Sequence, residues 1–335
     1  MQRNDRWNRK KALRAGVAIG IYGALLLVLA VFVLTDRQDA ETAAYGSLDG
    51  RFESEIRIEH DGASFFYRER EVTNYLLIGV DSNEGSSGQA DFLVLLSVDR
   101  RSKSITPVMV DRDTMAMVAT YGVLGDTSGE KQMQICLAQA FRGRSVTGSR
   151  NTAAALSRLL MGVKVDHYVA VDMGGIALLN DAVGGVEITL EDDFTSLDPS
   201  MKKGETILLD GTQAEYFVRG RTTVADGSNA TRMKHQRRYL AGMLEKLSVQ
   251  PKQKSLYQET LHALSGHIET DMTENALLSD MDKYAGYVWS DFVSFPGEYR
   301  VGEDGFTEFW LDEAQTENII VNMWFRQAGR EEEDE

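Results

Sequence analysis

The chain has 335 residues, 36 of them basic and 51 acidic, for a formal net charge of −15. That length can bury one large core or two modest ones, and the acidity argues against a surface built to bind nucleic acid. One cysteine, Cys136, and five scattered histidines rule out an internal disulfide framework and a cysteine–histidine zinc cluster.

The N-terminus stands apart from the rest. Arg3, Arg6, Arg9, Lys10, Lys11 and Arg14 face a single Asp5 within the first 14 residues. Residues 15–35 then carry no charge, a length that crosses about 30 Å of hydrocarbon as a helix. A cleaved signal peptide has an apolar stretch of only about 7–15 residues. An uncleaved anchor is therefore predicted, with residues 1–14 cytoplasmic and the C-terminal bulk outside. Beyond residue 14 the balance is 30 basic to 50 acidic residues, a net −20 that serves solubility. Residues 36–70 are charge-rich and read as an extracellular stalk leading into a first short element. Residues 71–328 show no Gly/Ser-rich spacer and read as one domain. The acidic tail at 329–335 reads as disordered.

Within the domain, residues 75–80 are an apolar run that ends at Asp81, and 92–98 are a second that starts after Asp91. A third, 105–110, stops at Asp111. Short connections make the three antiparallel neighbours, which brings Asp81, Asp91 and Asp111 to one edge of a sheet. Helices are predicted at 132–141, 151–161, 174–182, 211–218, 229–247, 256–264, 274–287 and 312–324. Strands are predicted at 167–171, 185–190 and 292–295. Strands interleaved with helices imply an α/β fold, a mixed central sheet with helices on both faces in three layers.

Chemistry gathers at the strand ends. On the helix after Asn229, Leu240, Met243, Leu244 and Leu247 form an apolar stripe, and stepping back by fours reaches Gln236 and Arg232. An arginine on a buried face needs an anion, either a ligand or an internal aspartate. Arg219 and Arg221 flank Gly220, and guanidinium forks match phosphate oxygens. Arg112 lies between Asp111 and Asp113. Those acids can orient it, bind metal or take a proton from a hydroxyl. Asp81 and Asp91 bracket a small polar loop, a plausible cradle for Mg²⁺, which takes one or two protein carboxylates. Each aspartate taken alone reads as a turn or cap residue.

The set in order resembles the LytR-CpsA-Psr family of bacterial cell-wall proteins over roughly 72–325. Leu76-Leu77-Ile78-Gly79-Val80-Asp81 is similar to the family's opening strand and acid, and Ala90-Asp91 begins its second strand. Asp111-Arg112-Asp113-Thr114 resembles its hallmark Pro-Arg-Asp-Thr, with Asp111 in place of the proline. Asp166-His167-Tyr168-Val169 and Leu179-Asn180-Asp181-Ala182-Val183-Gly184-Gly185-Val186 resemble its middle, and Leu209-Asp210-Gly211-Thr212-Gln213-Ala214 opens its late block. Phe217-Val218-Arg219-Gly220-Arg221, with Arg232 and Gln236, resembles its late block. Three further positions depart. Gln89 and His235 stand where the family usually has arginine, and Asn229 where it has an acid.

The resemblance implies Mg²⁺-dependent transfer of a polyprenyl-diphosphate-linked glycopolymer onto peptidoglycan at the outer face of the cell membrane. It implies a diphosphate site from Arg112, Arg219, Arg221, Arg232 and Gln236, a metal site from Asp81 and Asp91, and proton transfer to Asp113. The lipid tail would lie in a tunnel between sheet and helices. Two alternatives use the same residues. One is a non-catalytic lipid-phosphate-binding envelope regulator, and the other is a pyrophosphatase acting on lipid diphosphates with water.

Overall fold

The computed structural model describes residues 56–328 except 82–87, 222, 250–259, 261–262 and 285. The expected anchor, the acidic tail, most of the polar loop after Asp81 and most of the helix expected at 256–264 lie outside the described residues. Among the described residues, no helix is long and apolar enough to cross a membrane.

In chain order, β1 (Arg57–His60) and β2 (Ala63–Tyr67) form a hairpin. Its turn residues Asp61 and Gly62 both have positive φ, which matches the twist of two-residue hairpins. Next come β3 (Val72–Asp81), β4 (Gln89–Asp99) and β5 (Ser104–Met109), then a second hairpin of β6 (Met115–Tyr121) and β7 (Thr127–Gln134). A 3-10 turn (Ile135–Ala140) leads to α1 (Gly148–Leu159), β8 (His167–Asp172), α2 (Met173–Ala182), β9 (Val186–Thr189) and β10 (Thr206–Leu209). The chain continues through α3 (Gly211–Arg219), α4 (Asn229–Val249), β11 (Ile268–Thr270) and α5 (Glu274–Tyr284). It closes with β12 (Val288–Trp289), β13 (Val293–Ser294), β14 (Gly297–Val301), β15 (Thr307–Leu311), α6 (Glu313–Trp324) and β16 (Phe325–Gln327).

The central sheet has seven strands in the order β11-β8-β3-β4-β5, with β12 and β13 both along the outer edge of β5. β3, β4 and β5 are antiparallel as expected, whereas β8 runs parallel to β3 and makes the sheet mixed. Alternation along the strands splits the core in two. Tyr75, Leu77, Val94 and Leu96 pack under α2, α3 and α4 through Leu179, Phe217 and Leu240. Leu76, Ile78, Leu93 and Leu95 pack on the other face under α1 and α6 through Leu156 and Ile320.

The helix expected at 132–141 is corrected. Residues 132–134 end β7, and the winding begins only at Ile135. β7 is a polar ribbon paired residue by residue with β6, and its exposed residues carry no apolar alternation to betray a strand. The β14–β15 hairpin went unpredicted for the same reason, since all five residues of β14 are exposed. Residues 57–67, inside the expected stalk, are sheet and pair with β16 near the other end of the chain.

One buried amide positions the ligand-side helices. Asn180 on α2 donates to the Leu209 carbonyl at 2.7 Å and accepts from the Val186 amide at 3.2 Å and the Tyr239 hydroxyl at 3.2 Å. It thereby ties α2 to β9, β10 and α4. Asn180→Ala orphans three buried groups, and the expected cost is about 3 kcal/mol, read as a fall in the urea midpoint at constant m-value.

Candidate active site

The register of β3 and β4 slips between Gly79 and Val80. Gly79 faces Phe92 and Val80 faces Ala90, so Asp91 is the extra residue of a β-bulge. A bulge re-aims the side chain it carries, and Asp91 uses that freedom to meet two arginines from distant segments. Its Oδ1 accepts from Nη1 of Arg112, in the segment after β5, and its Oδ2 accepts from Nη1 of Arg232 on α4 at 2.8 Å. Arg112 Nη2 also donates to the Gln89 side chain and, at 3.1 Å, to Cys136 Sγ.

Arg112 keeps one donor unspent. Its Nε lies 3.2 Å from Asp113 Oδ1, but the angle makes no hydrogen bond and the atom is buried without a partner. Asp113 therefore acts on Arg112 through charge alone. An unsatisfied buried guanidinium nitrogen is costly in a finished core, and it fits a site that waits for a ligand oxygen.

Arg232 is 4% exposed. Its Nε and Nη2 both donate to Asn229 Oδ1, at 3.1 and 2.6 Å. Burial, with the charges of Arg112 and Arg221, pulls its pKa down to about 10, which still leaves it charged at neutral pH. The chain continues outward from Asn229, whose Nδ2 donates to Asp111 Oδ1 at 2.7 Å. The Tyr299 hydroxyl donates to Asp111 Oδ2. Burial pushes the Asp111 carboxyl above its ordinary value despite these donors.

The Asp111–Asn229 contact accounts for two departures from the family pattern together. An acid is missing at 229 and an acid is gained at 111, and the two side chains touch. Asp111 therefore places a carboxylate one hydrogen bond beyond the Asn229 side chain to which Arg232 donates.

The remaining predicted residues divide. Arg219 donates to Asp81 Oδ1 at 2.6 Å and to Glu215 Oε1 at 2.7 Å, with 40% of its side chain exposed. Arg221 is exposed, and its charge reaches Arg232. Gln236 stitches α4 to β4 and α3, donating to the carbonyls of Asp91 and Val218 at 3.3 Å each. His235 points away from the arginine cluster. Its ring packs on Phe194 and Phe217, and Nε2 lies 3.0 Å from Asp192 Oδ2. One helical residue step of 100° separates it from Gln236, and that turn points it at a different neighbour.

Sequence reasoning missed Tyr299 and Cys136. Tyr299 is 188 residues from Asp111 and lies on the hairpin that was not foreseen. Nothing local in the sequence marked it.

Asp91, Arg219 and Gln236 also line an apolar slot of about 70 Å³ between the sheet and α2, α3 and α4, with Leu77, Phe92, Ile176 and Leu240 among its walls. A mostly apolar lining with a few polar and charged residues suits an amphiphile.

Comparison with known proteins decides the family. The LytR_cpsA_psr family model matches residues 32–323. The chain belongs to the LytR-CpsA-Psr family. Among its relatives, the polyisoprenyl-teichoic acid–peptidoglycan teichoic acid transferase TagU of Bacillus cereus is 25% identical over 254 residues, 76% of this chain and 78% of that protein. The protein of the same name from Enterococcus faecalis is 29% identical over 219 residues, 64% of this chain and 65% of that one. Solved structures share the fold. Protein gbs0355 of Streptococcus agalactiae has a TM-score of 0.62 at 22% identity, covering 76% of this chain and 88% of that one. Bacillus subtilis TagV scores 0.59 at 21% identity, covering 76% and 96%.

For this LytR-CpsA-Psr member, Asp81 ends β3 and Asp91 is the third residue of β4, across one connection. Two carboxylates suit Mg²⁺, which draws its other ligands from water and phosphate. Both are paired with arginines here, and among the described residues no three or more His, Cys, Asp or Glu side chains gather to hold a metal.

Proposed function

We propose that this protein is a membrane-anchored phosphotransferase that moves a polyprenyl-diphosphate-linked glycopolymer onto peptidoglycan at the outer face of a bacterial membrane. The observation that carries the reading is the unspent, buried Nε of Arg112, whose guanidinium pairs with Asp91, a residue that with Arg219 also lines the apolar slot. TagU relatives carry a transferase name of this kind, and the predicted anchor would hold the domain beside its lipid.

In the reaction, a glycan hydroxyl oxygen forms a bond to the sugar-side phosphorus. The bond from that phosphorus to the bridging oxygen breaks, and lipid monophosphate leaves. Asp113 takes the hydroxyl proton. Arg112 and Arg232 turn from Asp91, and Arg219 from Asp81, toward the phosphate oxygens, where positioned cations stabilise the developing charge. Arg221 adds its charge from the exposed side, and Gln236 holds the Asp91 backbone in place. Mg²⁺ held by Asp81 and Asp91 would supply further neutralisation of the diphosphate.

The test is to incubate the protein with a synthetic lipid-diphosphate oligosaccharide, peptidoglycan fragments and Mg²⁺. Sugar joined to peptidoglycan, with release of lipid monophosphate, is the expected result. Release without joining would identify a pyrophosphatase, and bound but unchanged lipid a non-catalytic regulator.

A further inference from the structure

A second cavity of about 350 Å³ lies between α4 and the β14–β15 hairpin. Its size falls in the range of about 300–1,000 Å³ common to small-molecule sites. The two cavities use different stripes of α4. Gln236, Tyr239 and Leu240 face the apolar slot, and Ala230, Met233, Lys234 and Arg237 face the groove. The hairpin docks directly on the Asp111-Arg112-Asp113-Thr114 segment, with the Phe309 amide donating to the Asp113 carbonyl at 2.8 Å. The groove therefore adjoins the residues placed in the transfer step.

Its lining is unlike that of the slot. Asp111, Tyr299 and Thr114 all line it, and the Tyr299 hydroxyl donates to the Asp111 carboxylate. Thr114 is 1% exposed, and its hydroxyl oxygen is buried without a hydrogen-bond partner. Tyr299 and Phe309 form a tilted ring pair at 4.8 Å. Lys234 and Arg237 stand exposed at the rim, with Arg237 donating to the Ser294 hydroxyl at 2.9 Å. Hydroxyl-bonding groups above an aromatic pair suit a sugar ring, and rim cations suit one that carries carboxylates.

We infer that this groove seats the acceptor, a peptidoglycan sugar whose hydroxyls meet Asp111, Tyr299 and Thr114 and whose stem-peptide carboxylates meet Lys234 and Arg237. The assignment rests on the phosphotransferase reading. In-line displacement puts the attacking oxygen opposite the leaving group. The leaving lipid phosphate belongs with the apolar slot, so the incoming sugar belongs on the side away from it. That argument favours the acceptor over the donor's own glycan.

The experiment uses the full chain in detergent micelles, with an uncrosslinked peptidoglycan disaccharide-peptide as one probe and a lipid-diphosphate oligosaccharide as the other. Binding of each is measured for the parent, for Thr114→Val, which keeps the side-chain shape, and for Arg237→Glu at the rim. Both variants are expected to lose roughly ten-fold in disaccharide-peptide affinity, with lipid-diphosphate affinity within roughly two-fold of the parent. Unchanged disaccharide-peptide affinity in both variants, or no binding by the parent, overturns the assignment. A parallel loss of lipid-diphosphate affinity also overturns it and gives the groove to the donor's sugar. A parent that binds the disaccharide-peptide in this variant-sensitive way yet turns over no lipid diphosphate leaves the groove standing and sinks the transferase reading.

Discussion

Arg232→Ala lowers the stability of the domain by about 3–5 kcal/mol, the usual cost of removing one partner of a buried charge pair. The residue is 4% exposed, and its three bonded nitrogens serve Asp91 and Asn229. Without them Asn229 Oδ1 loses two donors, and Asp91 leans on Arg112 alone. Lysine does not restore the parent, because one ammonium cannot span two acceptors in the planar geometry of a guanidinium. Arg219→Ala is the contrast. Its ion pair to Asp81 is 40–44% exposed, and such pairs contribute about 0–1 kcal/mol. Both variants are expected to bind lipid diphosphate roughly ten-fold more weakly, since a charged hydrogen bond is worth about 1.5–3 kcal/mol. Denaturant melts with lipid-diphosphate titrations separate the two roles. An Arg232→Ala protein as stable as the parent would show that the buried network is not what holds α4 to the sheet edge.

Asn229→Asp, which restores the family's acid, is expected to harm this chain. It sets a second carboxylate against Asp111, where the present contact is 2.7 Å. The cost is about 2–3 kcal/mol at neutral pH, from a lost bond plus like-charge repulsion. The sign of the pH dependence follows from Asp111. Its folded pKa already stands above the unfolded value, so ionising it costs stability. That cost is absent below the unfolded pKa and complete above the folded one. A second acid raises the pair further, so the variant should recover stability as pH falls toward the carboxylate range. Adding Asp111→Asn to Asn229→Asp exchanges donor and acceptor across the same contact and gives Arg232 a charged partner. The double variant is expected to match the parent at neutral pH. A double-mutant cycle with coupling below about 0.5 kcal/mol would show the two departures to be unrelated.

The residues of this site were legible before their pairings were. Apolar runs bounded by Asp81, Asp91 and Asp111 located the sheet edge, because a strand's period and its short connections are local properties. The helical stripe through Arg232 and Gln236 showed which face of α4 is buried, by the same local logic. Order in the chain also carried the family pattern, and with it the departures at Gln89, Asp111, Asn229 and His235. The ion pairing was different. Whether Arg232 met a ligand or an aspartate stayed open, and only the bulge at Asp91 settles that it meets Asp91. A register slip is a property of two strands together, and neither strand's own pattern records it.

The two exposed hairpins mark the same boundary. One strand of each, β7 and β14, faces solvent with few or no buried residues to reveal it, and Tyr299 came with the second. The sequence by itself thus determined the buried central strands β3, β4 and β5, the buried helix face and the charges that must gather at one edge, because burial imposes periodicity. Tertiary structure alone decided which acid meets which arginine and brought Tyr299 to Asp111 across 188 residues. It also turned His235 away toward Asp192. Such contacts depend on how separate elements pack, and no single element's sequence encodes its neighbour's position.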